Sequence, residues 1–449
     1  MDVVFLSGGL NRFTNRYIGP YKIAHWVRKH GYQAQVIDFV DIMPENDVRL
    51  ALQKFITPNT LILAVSTTFL SNRVYIHTNG KRARMPEHII KLLKEIKQQY
   101  PNIKIVIGGY MSDKLSTYDV FDATIMSYTT ATEDIFLEYI NHLKKGTPAP
   151  IGSYILPNWG SGKTRIRMWY DTAREPQYNI ETDDFKFTHQ DVILPGEPLP
   201  LDISRGCIFA CRFCQYPHLG KKKLDYIRGM DYIESEIRYN YENFGTTGYI
   251  MLDDTFNDTE FKMKAFYDMT QRLPFKITFS AYLRADLIDR FPDMVHWLKE
   301  SGLFGAYHGI ESLHPYASKV VGKAWSGTKA REFIPKLYHD LWEKKVPIHT
   351  NFIVGLPGES LSSVLSTAEW FKSNKLHSIN FNTLGLYGTE STVSRFTIQS
   401  EFDKNAEKYG FKFLGKLPNG LQNWSNDHWT LSSAHVYATK EILRSLCVV

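Results

Sequence analysis

Three of the chain's four cysteines, Cys207, Cys211 and Cys214, stand within eight positions of one another in "SRGCIFACRFCQYPH" (204–218). Thiolates are soft ligands, and three at C-x3-C-x2-C spacing on one loop can grip a metal centre. Two kinds of centre fit. A four-iron cubane takes the three thiolates and leaves one iron without a protein ligand, open to a substrate or cofactor. Alternatively, His218, four residues after Cys214, completes a Cys3His set that closes a structural zinc site. So few cysteines, so clustered, do not make a disulfide framework and point to a reducing compartment. Cys447, near the end of the chain, is either a second catalytic thiol or a terminal cysteine without a role.

The elements that must position this loop follow a βα rhythm, and 449 residues call for two or three domains. Strand-like runs at 2–8, 33–40, 60–69, 104–110 and 122–128 alternate with helical stretches such as "PEHIIKLLKEIKQQY" (86–100) and "TEDIFLEYINHLKKG" (132–146). That alternation predicts a doubly wound, Rossmann-like domain over 1–146, with ligands at the carboxyl ends of its strands. Residues 147–198 are rich in Pro, Gly, Trp and Tyr without periodicity and read as a linker. The rhythm restarts at 199 with six more strand runs (199–206, 248–254, 276–286, 305–312, 347–358 and 378–387), which predict a partial (β/α)6 barrel over 199–390. A small mixed C-terminal extension occupies 391–449. The fold class is therefore α/β.

Composition narrows the function classes. Hydrophobic content of 43% and charged content of 22% are those of a folded protein, and an aromatic share of 14% suits large pockets. Apolar runs such as "TLILAVSTTFL" are strand-length and interrupted by Thr and Ser, so no membrane span is expected. The start "MDVVFLSGGLNR" has no basic n-region, and the cytoplasm is the expected location. A net charge of +6 is mild, and "GKRAR" (80–84) and "GKKK" (220–223) read as solvated loops rather than a nucleic-acid patch.

The cysteine loop resembles the signature of the radical S-adenosylmethionine (SAM) enzymes, and the likeness continues past it. "GYIMLDDTFND" (248–258), "GAYHGIESLHPYASKVVGK" (305–323) and "FIVGLPGES" (352–360) are similar to that superfamily's later strand ends, in order. The resemblance implies a 4Fe-4S cluster on Cys207, Cys211 and Cys214, with SAM chelating the fourth iron through its amino and carboxylate groups. It also implies SAM contacts from Phe213, which shields the cluster, and from Asp253 and Asp254, which accept from the ammonium. Arg284 would hold the carboxylate, Glu311 and Ser312 the ribose or amino group, and Gly355 and Pro357 the adenine. Each has a plainer reading: a helix N-cap for the aspartates, a pair with Asp286 for Arg284, strand-end structure for Glu311 and Ser312, and a turn for "GLPGE" (355–359).

A doubly wound domain ahead of such a barrel, entered through "LDISRGC" (201–207), is similar to the cobalamin-binding radical SAM class. "YIGPYKIAHWVRKHGYQAQVIDF" (17–39) and "IVIGGYMSD" (105–113) resemble its first helix and its Gly-Gly strand end. On that resemblance the cobalamin site is built from Ser7, Gly8, Gly9, Ser66, Thr67, Gly108, Gly109 and Ser127. The segment "SGGLNRFTNR" (7–16) holds no histidine to ligate cobalt, and "SYTTATED" (127–134) stands where the class commonly has Gly-Glu-Gly-Glu.

The reading is then a radical SAM enzyme that cleaves SAM to methionine and a 5′-deoxyadenosyl radical, with cobalamin-dependent methylation of an unactivated carbon. One alternative is a radical SAM enzyme with a degenerate, cofactor-free N-terminal domain that performs another rearrangement or oxidation. Another, from a different class, is a zinc-stabilised nucleic-acid-binding protein using the basic loops. Expected partners are a small-molecule or peptide substrate and an electron donor such as flavodoxin or ferredoxin.

Overall fold

Runs of β-branched and aliphatic residues buried on both faces form the strands of the first sheet, as a parallel sheet covered by helices requires, whereas the strands of the second alternate between buried and partly exposed positions. The computed structural model describes residues 1–9, 15–70, 85–109, 118–125, 132–150, 154–156, 165–168, 177–215, 226–323, 325–388, 399–417, 421–439 and 442–445. These fall into two units, one running through 1–200 with 235–246, the other through 201–234 and 247–445. Among the described residues, no helix is long and apolar enough to cross a membrane.

The first unit carries β1 (Val3–Leu6), β2 (Ala34–Ile37), β3 (Ile62–Ser66), β4 (Lys104–Gly108), β5 (Ala123–Ile125), β6 (Tyr154–Leu156) and β7 (Arg165–Met168), in the order β2-β1-β3-β4-β5-β7-β6. All neighbours run parallel except β6 and β7. One face of the sheet packs Val4, Leu6, Leu63, Val65, Ile105 and Ile107 against Ile89, Leu93 and Ile96 of the helix Glu87–Gln99. On the other face the Phe5 and Phe136 rings lie 5.0 Å apart, which seats the helix Thr132–Lys145. Strand order reverses between β1 and β3, and in an open α/β sheet that reversal opens a crevice at the carboxyl ends. The stretch expected to be a linker supplies β6 and β7. They are three and four residues long, too short to show a period in the sequence.

The second unit has the order β13-β12-β11-β10-β9-β8, each strand beside its sequence neighbour. These are β8 (Leu199–Leu201), β9 (Gly248–Met251), β10 (Thr278–Leu283), β11 (Leu303–Glu311), β12 (Ile348–Val354) and β13 (Ser378–Thr383). The strands β9 to β13 pair in parallel, and β8 and β13 remain sheet edges, so the barrel is open. Alternation along β11 decides which residues can reach a ligand. Ala306, His308 and Ile310 are buried on the outer face. Tyr307, Gly309 and Glu311 are set on the inner one. His308, stacked on Trp342, is so deeply buried that its pKa falls to about 4, which leaves it neutral. The extension adds the antiparallel pair β14 (Lys412–Lys416) and β15 (Gln422–Ser425) and the helix Leu431–Thr439.

Candidate active site

The cysteine loop leaves the end of β8 through a closed stem. Arg205 N donates to Tyr226 O at 3.0 Å and Arg228 N to Ile203 O at 2.8 Å, with an antiparallel bridge between Ser204 and Ile227. Beyond the stem, Cys207 is 6% exposed, and its Sγ lies 3.5 Å from Thr255 Oγ1. Cys214 N donates to Cys211 O at 3.0 Å, and these two thiols are half-buried. All three, with Phe213, line one cavity of about 470 Å³. Burial pushes the Cys207 thiol above its ordinary pKa, so a thiolate there needs a neighbouring cation. Among the described residues, no three His, Cys, Asp or Glu side chains converge to hold a single metal ion. A cubane, which takes one thiolate at each of three corners, fits three spread cysteines better than a mononuclear zinc site does.

Cations and carboxylates ring the same cavity. Arg284 lies 3.8 Å above the Phe209 ring centroid, grips Asp286 at 3.0 and 2.6 Å, and brings Nη1 to 4.0 Å from Cys211 Sγ. Burial opposes its charge, but Asp286 outweighs burial and holds its pKa above the usual arginine value. Asn257 fixes its backbone on both sides, accepting from Arg284 N at 2.8 Å and donating to Arg284 O at 2.9 Å. The pairing with Asp286 and the place on the cavity wall therefore coexist. Glu311 takes a left-handed backbone, φ 69°, and pairs with Lys323 at 2.7 Å. A Cβ at Gly309 would stand 2.5 Å from the Glu311 carboxylate and displace it from its present place. Asp254 also lines the cavity.

The other residues expected around SAM are placed differently. Asp253 turns away into a fully buried network, 2.8 Å from Lys262 and bonded to Ser204. Lys262 also lies 3.4 Å from Asp258, whose other oxygen accepts from Tyr226 Oη at 2.6 Å. Burial opposes the Lys262 charge, but the two carboxylates hold its pKa above the ordinary lysine value. Neither Asp253 nor Asp254 caps the helix Glu260–Gln271; Thr259 does. Ser312 is buried and donates to Glu359 Oε1 at 2.6 Å. Burial raises Glu359 to about 8, and among the described residues its Oε2 has no hydrogen-bond partner, so the carboxyl is neutral at pH 7. Gly355, φ 104°, gives way to the Trp424 indole, a close approach by protein rather than ligand. Ser312, Gly355 and Pro357 are absent from the cavity wall.

Residues without a motif complete the site. Tyr282, Tyr307, Asn351, Asn380 and Asn382 line the cavity beside Lys323. Their signal was polar or aromatic residues at every second position of β10 to β13, where a buried strand would otherwise be apolar. Asp403 braces the loop from outside. It accepts from Gln215 Nε2 at 2.8 Å, from Tyr387 N and Gly388 N at 2.5 and 2.9 Å, and from Ser400 N at 2.9 Å.

In the first unit, a pocket of about 80 Å³ opens at the ends of β3, β4 and β5. Ser66, Gly108 and Gly109 line it, among Phe5, Val65 and Phe136. Thr67 is buried behind it, its Oγ1 donating to Gly108 O at 3.0 Å. Ser7, Gly8 and Gly9 end β1 outside this wall, with Gly9 N donating to Asp41 Oδ1 at 3.0 Å. The apolar wall and the bare Gly108 and Gly109 fit the insertion of an uncharged planar tail. Ser127, His218 and Cys447 lie outside the described residues.

Residues 201–371 match the family model described as the radical SAM superfamily. This segment is a radical SAM domain. The domain contains the three cysteines, Asp254, Arg284, Glu311 and Lys323, whereas Asn380, Asn382 and Asp403 lie past its matched end. The fold is similar to that of the radical SAM methyltransferase TsrM from Kitasatospora setae, solved with cobalamin and a [4Fe-4S] cluster bound. The TM-score is 0.62 at 15% identity, covering 86% of this chain and 75% of that one. It is also similar to OxsB, a cobalamin-dependent S-adenosylmethionine radical enzyme, at TM-score 0.60 and 15% identity, over 94% of this chain and 56% of that one. A curated relative, the uncharacterized methyltransferase PH0819 of Pyrococcus horikoshii, is 25% identical over 173 residues. That match takes in 38% of this chain and 35% of the relative, about a third of its length.

Proposed function

We propose that this chain is a cobalamin-dependent radical SAM methyltransferase acting on an unactivated carbon. The observation that carries the reading is the convergence of Cys207, Cys211 and Cys214 on one cavity that also presents Arg284, Asp254 and the Glu311–Lys323 pair. When bound, a [4Fe-4S] cluster would supply the electron that cleaves SAM, and cobalamin the methyl group that is transferred.

The protein's own contribution is positioning. The three thiolates would hold a cluster that has an open coordination position for SAM. Arg284, rigid between Phe209 and Asp286, offers a permanent cation to a carboxylate. Asp254 and Glu311 offer acceptors to an ammonium. Phe213 and Phe209 keep water from the cysteine rim. In the first unit, Ser66, Gly108 and Gly109 would admit the cobalamin tail. An electron donor such as flavodoxin or ferredoxin and a small-molecule or peptide substrate complete the scheme.

A second reading keeps the radical SAM domain and leaves the first unit without cofactor. The absence of histidine from 7–16 and the small volume of the pocket favour it. Anaerobic reconstitution with iron, sulfide and hydroxocobalamin, followed by gel filtration and product analysis, separates the readings. The first expects about four irons per chain, retained cobalamin, and both 5′-deoxyadenosine and S-adenosylhomocysteine. Iron and 5′-deoxyadenosine without retained cobalamin select the second, and protein without iron overturns both.

A further inference from the structure

The inner face of the second sheet is layered. Strand register sets Tyr282 beside Tyr307, Tyr307 beside His349, and His349 beside Ser378. Two residues further toward the carboxyl ends, Gly309 stands beside Asn351 and Asn351 beside Asn380. Asn382 follows on the same face.

The lower layer is a continuous row of rings. Tyr282 and Tyr307 have centroids 5.3 Å apart, and Tyr307 and His349 stack at 4.6 Å with planes 14° apart. His377 meets His349 edge-on at 5.1 Å. Rings stacked across strands turn their faces to one another and leave their edges for a ligand. Among the described residues, neither tyrosine hydroxyl has a hydrogen-bond partner, and the His349 ring has none. Tyr282 is 54% exposed although it lies within the barrel. Above the row, Asn380 donates to Asn351 Oδ1 at 3.3 Å and to Asn382 Oδ1 at 3.0 Å.

The two halves of the cavity differ in charge. Asp254, Arg284, Glu311 and Lys323 make the upper rim ionic, as a zwitterion such as SAM requires. The lower half holds phenols and amides, with the His349 ring stacked on Tyr307 behind the wall. Burial raises the pKa of both tyrosines and, on Tyr282, Asp254 adds to it; burial lowers that of His349. All three are therefore neutral near pH 7. An ion placed over them would lose hydration beside charges already paired, Lys323 with Glu311 and Arg284 with Asp286, whereas a neutral planar group would meet the ring edges and exchange donors and acceptors with the phenols and amides.

We propose that Tyr282, Tyr307, Asn380 and Asn382 bind the molecule to be methylated. We further propose that the part they hold is an uncharged, planar, hydrogen-bonding group: an amide or a nitrogen heteroaromatic ring. The assignment of that molecule as a methyl acceptor rests on the function proposed above; the selectivity of the layer does not. Equilibrium dialysis of the anaerobically reconstituted protein with SAM, against indole-3-acetamide and indole-3-acetate, tests it. The two probes share a ring and differ in charge. The amide is expected to bind at least ~10-fold more tightly than the anion, and Tyr307→Phe and Asn380→Leu are each expected to weaken it by ~3- to 10-fold. N-acetyltryptophanamide, run in parallel, reports a peptide source if it binds more tightly than indole-3-acetamide and a free small molecule if it binds less. Equal or tighter binding of the anion, no binding of either indole probe, or indifference to both substitutions overturns the inference. Iron content and 5′-deoxyadenosine yield, read on the same sample, report separately on the proposed function.

Discussion

In the second unit the strand ends present charge to a cavity, and each charge has a protein partner or a position set by one. Arg284 is held by Asp286 and Phe209, and Glu311 by Lys323. In the first unit the strand ends present almost nothing: two glycines and a serine among Phe5, Val65 and Phe136. One site works by the donors it supplies, the other by the side chains it omits. The contrast predicts that the first is destroyed by removing a group and the second by adding one.

The largest expected effect follows from removing a donor. Cys211→Ala should strip the cluster, take absorbance near ~400 nm to background and abolish 5′-deoxyadenosine formation under dithionite. Undiminished 5′-deoxyadenosine would show that the loop is not the cluster site. Next comes the buried support beneath it. Lys262→Met strands Asp253 and Asp258 without their cation, which should cost about 3–5 kcal/mol of stability in urea unfolding. A loss under about 1 kcal/mol would mean that the network is open to water.

Adding a group tests the other unit. Gly108 has an ordinary backbone, and the nearest atom to a Cβ there would be 3.5 Å away, so Gly108→Val places its Cβ without a clash. It should fill the pocket and reduce hydroxocobalamin retention by at least ~10-fold, with iron content unchanged. Unaltered retention would place any cobalamin elsewhere. The smallest effect is a slope. Glu359 titrates at about 8 in the fold against 4.5 for a free glutamate, so the native state keeps a proton that the unfolded chain gives up. Its contribution is full below about 4.5 and declines as pH rises to about 8. Glu359→Gln, which mimics the protonated acid, should flatten the pH dependence of the urea midpoint across that window. An unchanged slope would show that the carboxyl is ionised in the fold.

The same contrast explains how much the sequence disclosed. All six barrel strands and the first five strands of the other sheet were legible, the latter as continuous apolar runs, the former as apolar residues at alternate positions, with helices between them. The cysteines announced themselves by spacing. Asp253 and Gly355 could be read as ligands only by analogy, since nothing in their neighbourhood names Lys262 or Trp424, which lie 9 and 69 residues away. The short β6 and β7 carried too few residues for a period, and the asparagines of β12 and β13 form no consecutive motif. Their common face exists only once β12 and β13 are in register.

Asp403 has a consequence of its own. A single carboxylate ties the residue after the last cysteine to the turn beyond β13 and to the start of the extension. Severing the chain between 388 and 400 should leave Phe402 and Trp424 packed in the barrel core but loosen the brace on the cysteine loop. Gradual bleaching in air, ahead of any change in secondary structure, would be the first symptom of such a cut.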